Sequence, residues 1–334
     1  MKFLPRLCLV TPALADANNG NWQTAHRWAR LLSVHYRLRI AASWRGDCAE
    51  DLADDGLLAL HARRSADSVA AWAALCPGKP LALALTGTDL YRDIESDATA
   101  QRSLALAQRL IVLQDQGPLA LPVALRKRCW VVLQSSTRRQ TLEKTQGRLR
   151  AVMVGHLREE KSPETLFEAA RMLRADEGIL LDHIGRDLAP DLGEQARVTM
   201  VECPHYRWLG GLTHAATRQR IQRAHMLVHP SRMEGGAHVI MEAVLSGTPV
   251  LASRIPGNVG MLGADYAGYF ETGNATDLLR LLRACRQEMA EPGGLLSQLQ
   301  TQCEARAPLF EPAAEQAALV GALAGLQWPS RAQQ

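Results

Sequence analysis

Short apolar runs alternate with helix-length amphipathic segments along almost the whole chain, and they do so in two series. This alternation is the pattern of strand–helix units around a parallel sheet, because a strand covered on both faces reads as an unbroken apolar run. In the first series the expected strands are 7–10, 36–43, 57–62, 80–85, 109–113 and 129–133, with helices over 22–34, 65–75 and 98–108. In the second they are 151–155, 180–185, 206–210, 226–230 and 249–253. Between 134 and 150 the chain turns polar and loses its period, which predicts a linker. The expected organisation is an α/β protein with one sheet domain over 1–145 and a second over 150–328, the last helix being a candidate to pack back on the first.

Composition agrees with a folded two-domain chain: 334 residues, 47% hydrophobic and 22% charged, can bury large cores. The net charge of +4 is spread out, without the runs of like charge that mark a nucleic-acid tail, so nucleic acid is not expected as a partner. Seven widely spaced cysteines without a CxxC pair argue against a disulfide framework or a zinc site and fit a reducing cytoplasm. The opening MKFLPRLCLVTPALADA imitates a secretory signal, but Pro5 and Arg6 break its apolar core, so a first buried strand over 6–11 is expected instead. No run reaches the roughly 20 apolar residues of a membrane span, and stable membrane insertion is not expected.

Ligands of such sheets bind beyond the carboxyl ends of the strands, so strand-to-helix loops carry the chemistry. After the strand 226–230 comes SRMEGGAHVIMEA, with Glu234 and Glu242 eight residues apart. The segment from about Ala237 to Ser246 reads as a buried helix ended by Gly247, with Gly235 and Gly236 at its start. A glycine-flanked helix start offers N–H groups and a positive dipole to a diphosphate. Gly235, Gly236, Ala237, His238 and Val239 then line a phosphate site, Glu242 can accept from ribose hydroxyls, and Glu234 can reach the group beyond the phosphates. On spacing alone, Glu242 is equally a partly exposed helix residue and Glu234 a loop charge.

A second loop follows the strand 151–155, where Ser162 and Pro163 predict a capped helix start. His156, Arg158 and Lys161 lie on it. Cations there can neutralise a departing diphosphate without a metal, although alone they also read as a solvated basic loop. In the first series, the loop Asn18-Asn19-Gly20-Asn21 precedes a helix and can hold a phosphate or simply turn the chain, and Thr24 can add a hydroxyl. Arg63 and Arg64 follow a strand and can bind an anion bidentately, or read simply as solvated surface arginines, with Arg64 the candidate ligand. The segment after Asn21 also mixes Arg27, Arg30, Arg37 and His26 with Trp22 and Trp28, a face that fits either a membrane surface or the core.

The loop Val154-Gly155-His156-Leu157-Arg158-Glu159-Glu160-Lys161, the pair Glu234 and Glu242, and the stretch GTPVLASRIPG at 247–257 resemble the donor-binding loops of GT-B glycosyltransferases of the GT4 type. Those enzymes carry a G-R-L…E-K loop and an E-x7-E motif. Over the whole chain, stretches such as VTPALADANNGNWQTAHRWARLL, LALTGTDLYRDI, YRWLGGLTHA and ASRIPGNVGMLGADYAGYF are similar to the selenosugar synthase family of selenoneine biosynthesis. The resemblance implies two Rossmann-like domains facing each other across a cleft. It also implies transfer of a hexose, N-acetylglucosamine or glucose, from a UDP-sugar to selenophosphate with formation of a carbon–selenium bond. No cofactor and no metal are implied, with Lys161, Arg158 and Glu234 in catalysis and His156 among the donor contacts.

The chain departs from the GT4 pattern in having His156 where arginine is usual and Thr86-Gly87-Thr88-Asp89 where many have H-G-x-D. An anionic selenium needs no tuned general base, so binding and aim by Thr86, Asp89 and the loop 18–21 suffice. Thr86 also reads simply as the end of a strand. Two alternatives stand: a hexosyltransferase with a hydroxyl acceptor, and a non-catalytic nucleotide-sugar-binding protein. A dehydrogenase is disfavoured, since no G-x-G-x-x-G follows the first strand.

Overall fold

The computed structural model of the protein describes residues 4–12 and 20–328. It divides into two compact units, one of Met1–Gln134 with Pro312–Gln334 and one of Ser135–Glu311. Each holds a six-stranded parallel sheet flanked by helices.

In unit 1 the strands are β1 (Arg6–Val10), β2 (Arg37–Ala41), β3 (Gly56–Leu60), β4 (Leu81–Leu85), β5 (Arg109–Val112) and β6 (Cys129–Val131), in the order β2-β1-β3-β4-β5-β6. β3 and β4 are buried throughout. Successive side chains point to opposite faces, so Leu57, Ala59, Leu81, Leu83 and Leu85 join Trp44 and Trp72 on one side. Leu58, Leu60, Ala82 and Ala84 join Trp28 and Leu32 on the other. Two apolar faces per strand explain why these segments read as continuous apolar runs.

The Pro312–Ala324 helix belongs to this unit. Its Glu315 is fully buried and accepts from Trp28 Nε1 at 2.7 Å and Arg27 Nε at 2.9 Å. Arg27 and Trp28 therefore serve the interior of unit 1.

In unit 2 the strands are β7 (Leu149–Val154), β8 (Ile179–Ile184), β9 (Tyr206–Trp208), β10 (Met226–His229), β11 (Val250–Ser253) and β12 (Tyr269–Phe270), in the order β12-β11-β10-β7-β8-β9. From β7 the chain builds outward through β8 and β9, then crosses back to place β10 on the other side of β7. The point where the direction reverses lies between β7 and β10, and loops leaving a sheet there part in opposite directions to leave a crevice.

The polar stretch 134–150 is not a free linker. Arg139 N donates to Leu245 O at 2.8 Å, Arg218 Nη1 to Ser136 Oγ at 2.7 Å and Lys144 Nζ to Gln222 O at 2.6 Å, which fasten it to unit 2. Its lack of period reflects chain held by side-chain and backbone polar bonds instead of an apolar face. All seven cysteines are free. Among the described residues no helix is long and apolar enough to cross a membrane.

Candidate active site

The loops after β7 and β10 flank the reversal point of the second sheet, and they are locked together. Arg232 N donates to Glu160 O at 2.9 Å and Arg232 Nε to Ser162 Oγ at 3.2 Å. Lys161 Nζ meets Glu234 Oε1 at 2.5 Å. Both side chains are largely shielded, at 16% and 12% exposure, and His229 Nε2 stands 3.3 Å from the same carboxylate oxygen. Burial alone would raise the Glu234 carboxyl, but the Lys161 ammonium, aided by His229, holds it far below the ordinary glutamate range. Burial pushes the His229 imidazole down, so this histidine is neutral beside the ion pair.

Close backbone approach sets the loops. A Cβ at Gly185 would overlap the Gly155 carbonyl oxygen, and one at Gly257 would overlap the Glu234 carbonyl oxygen. His183, buried and pushed down to about 4 by desolvation, places Nε2 3.1 Å from Gly155 O and Nδ1 3.0 Å from the Tyr206 hydroxyl. Ser162 occupies the left-handed region at φ 46, buried, with its hydroxyl 3.1 Å from Thr165 Oγ1. It precedes Pro163 as expected but makes no side-chain capping bond to the helix.

The helix after β10 runs from His238 to Val244, with Ala237 at its N-cap position and no side-chain capping bond. Ala237 N faces Met261 Sδ at 3.1 Å, Gly235 and Val239 are buried, and Gly236 and His238 are partly exposed. Gly247 lies past its end at φ 66. Glu242 is 7% exposed and sits between His214 and Arg218. His214 Nε2 is 2.6 Å from its Oε1, and Arg218 Nη1 is 3.7 Å from the same atom. His156 and Arg158 are exposed, and His156 Nδ1 accepts from Arg186 N at 3.0 Å. Burial and the neighbouring Arg158, Arg186 and Lys161 hold the His156 imidazole below its usual value. Two shielded carboxylates of unit 2 thus each have their own basic partners, Glu234 with Lys161 and His229, and Glu242 with His214 and Arg218.

In unit 1 the reversal lies between β1 and β3. Asn18 and Asn19 lie outside the described residues, while Gly20 and Asn21 open the Gly20–Leu32 helix. Thr24 does not present its hydroxyl as expected: it is 3% exposed, donating to Gly20 O at 2.8 Å and accepting from Gln134 Nε2 at 2.6 Å. Asp89 is likewise turned inward. Its fully buried carboxylate accepts from Thr86 N at 2.8 Å, Gly87 N at 2.9 Å and Ala62 N at 2.9 Å, tying the turn after β4 to the end of β3. Thr86 is held by that bond, and the Arg64 side chain is exposed at the end of β3.

Sequence reasoning missed His61. It is buried, in the left-handed region at φ 73, and its Nε2 lies 3.3 Å from Thr88 Oγ1. Burial lowers its imidazole, opposed by Asp89 and Asp93, and Arg63 Nε pairs with Asp93 Oδ2 at 3.0 Å. The signal was a lone histidine closing the apolar run LLALHA. The turn Thr86-Gly87-Thr88-Asp89, which lacks a histidine of its own, thus has one supplied by the neighbouring strand. The overlooked partners in unit 2 are His214 and Arg218, which lie on the His214–Arg223 helix and gave no motif of their own.

Residues 134–288, the larger part of unit 2, match the model of the family described as Glycosyl transferases group 1. No curated protein matches the chain in sequence. Solved structures resemble it over most of its length. HepE of Anabaena, crystallised with UDP, has a TM-score of 0.71 at 17% identity over 97% of this chain and 100% of that one. Sucrose-phosphate synthase from Thermosynechococcus elongatus has a TM-score of 0.69 at 14% identity, over 96% of this chain and 98% of that one. A point mutant of S. aureus TarM, in complex with fondaparinux, alpha-GlcNAc-glycerol and UDP, has a TM-score of 0.64 at 11% identity over 80% of this chain, which spans only 55% of the TarM chain.

The fold is therefore GT-B, with two Rossmann-like units. The family match falls on the unit that holds the Lys161–Glu234 pair and Glu242.

Proposed function

We propose that the protein is a UDP-sugar-dependent glycosyltransferase, and specifically a selenosugar synthase that transfers N-acetylglucosamine or glucose to selenophosphate. The observation that carries the donor half is the convergence of Lys161 and Glu234, 2.5 Å apart, from two loops at the reversal point of unit 2. Glu242 holds the ribose and the segment from Gly235 to Val239 receives the diphosphate. Arg158 and Lys161 balance the charge that grows on the β-phosphate as it departs, and neutral His156, whose Nδ1 is taken by Arg186 N, offers its Nε2–H as a donor. Glu234 aligns the hexose, and its pairing with Lys161 keeps it ionised as a hydrogen-bond acceptor. HepE and TarM, whose structures contain UDP, share the fold and support this choice of nucleotide.

Reaction consists of attack by selenium on the anomeric carbon, with the bond from that carbon to the UDP oxygen breaking and UDP leaving with the electron pair. Selenium of selenophosphate is anionic and strongly nucleophilic near neutral pH, so no general base has to be tuned for it. Arg64, together with the segment Gly20–Asn21, provides cationic and N–H groups for the phosphate of the acceptor. Hydrolysis of the phosphorus–selenium bond by water then releases phosphate and the free selenosugar. The resemblance of stretches such as LALTGTDLYRDI and YRWLGGLTHA to selenosugar synthases is the ground for this acceptor, and the cationic groups require no metal. Incubation with UDP-N-acetylglucosamine and selenophosphate in EDTA, followed by mass spectrometry, is the test. A hexose product with the selenium isotope pattern and matching UDP release is expected. UDP release onto cell metabolites with indifference to selenophosphate would indicate a hydroxyl acceptor instead.

A further inference from the structure

Glu242 has two basic partners of opposite character. Arg218 is 2% exposed, and besides facing the carboxylate at 3.7 Å it donates to Ser136 Oγ at 2.7 Å and Thr137 O at 2.9 Å. It is a fixed, buried countercharge. His214, one helical turn earlier, is 76% exposed and reaches Glu242 Oε1 from the solvent side at 2.6 Å. It opens the His214–Arg223 helix, after Thr213, whose side chain caps Ala216 N. An exposed ion pair contributes little net stability, and Arg218 already compensates the buried charge, so the imidazole leaves at small cost. The place it vacates is the open side of a carboxylate that has both a hydrogen-bonding oxygen and a fixed cation behind it. A vicinal diol, which offers two hydroxyl donors, fits that vacancy.

We propose that His214 is a displaceable stand-in for the donor ribose: it occupies Glu242 in the empty protein, swings out when the nucleotide enters, and makes donor affinity depend on pH. This rests on the donor-site reading above. The charged groups facing the imidazole are Glu242 from the His238–Val244 helix, Arg218 from its own helix and Arg139 from the segment before β7. The Glu242 hydrogen bond raises the imidazole pKa, against burial and the two arginines. Protonated His214 therefore competes best at low pH, and the donor binds more tightly as pH rises through its titration.

Calorimetric titration of the full-length protein with UDP-N-acetylglucosamine between pH 6 and 8 tests the idea, because the esterified diphosphate of that ligand does not titrate in this range. Wild type should bind roughly three- to fivefold more tightly at pH 8 than at pH 6, the scale of an exposed ion pair. His214→Ala should bind at pH 6 about as tightly as wild type does at pH 8, with the slope largely removed. Any contribution of His156 is common to both proteins and cancels in the comparison. Weaker binding by His214→Ala at both pH values, or a slope equal to that of wild type, would overturn the proposal. Glu242→Ala separates the two readings: if it binds as wild type does, the donor site itself is misplaced, whereas lost binding together with an unchanged His214→Ala slope sinks the stand-in alone.

Discussion

Lys161 and Glu234 lie 73 residues apart in sequence and form one shielded ion pair across the reversal point of the second sheet. Neither loop presents its charge independently, because each neutralises the other before any ligand arrives. Lys161→Ala leaves Glu234 buried with only neutral His229 beside it, which should cost about 2–3 kcal/mol of stability. Turnover should fall more than donor affinity, since the lost cation acts on charge that develops as the diphosphate departs. Thermal melts and steady-state kinetics check both. A double-mutant cycle with Glu234→Gln should show strong coupling.

Gly257 is required by contact and not by its own conformation. Its α-carbon lies so close to the Glu234 carbonyl that a methyl group cannot fit. Gly257→Ala should push the Glu234 loop away from Lys161, lowering stability by about 1–3 kcal/mol and weakening donor binding in the same variant. Denaturant midpoints and calorimetry with UDP measure the two effects.

Asp89 supports a turn in unit 1 through three backbone N–H groups, two on one oxygen and one on the other. Asp89→Asn turns one acceptor oxygen into an amide donor and leaves either Ala62 N or the Thr86–Gly87 pair unpaired. A loss of about 1–3 kcal/mol is expected in urea denaturation. Unchanged stability would mean that the carboxylate has a different role.

Four buried histidines, His61, His183, His225 and His229, have imidazoles lowered by burial. Below the unfolded value near 6.5 the unfolded chain takes up protons that the folded protein refuses, so stability is greatest above that pH and falls beneath it. For His183, with a folded value of about 4, the loss grows from pH 6.5 downward to about 3 kcal/mol at pH 4. Glu234 acts in the same direction at lower pH, since its depressed carboxyl stabilises the fold above the ordinary glutamate range and this contribution fades as acid protonates it. The melting temperature should therefore drop steeply between pH 7 and 5, and less steeply in His183→Gln. A flat profile would contradict neutral burial.

Much of this was legible in the sequence. Each expected strand is present, because fully buried parallel strands such as β3 and β4 must be written as unbroken apolar runs. The two-residue β12, Tyr269–Phe270, is too short to carry a period and was not expected. Glu234, Glu242 and Lys161 were singled out by spacing and placement at strand ends. Their partners were not, since His214 and Arg218 reach Glu242 only through tertiary packing. Thr24 and Asp89, polar residues at a helix start and a strand end, are engaged by backbone groups that only the folded chain brings to them.

The most direct test of the central claim is a crystal structure of the protein with UDP. The uridine ribose should lie within hydrogen-bond distance of Glu242 with the His214 side chain displaced, and the diphosphate should lie against the loops after β7 and β10 near Lys161. Nucleotide bound elsewhere, with Glu242 still paired to His214, would contradict the account.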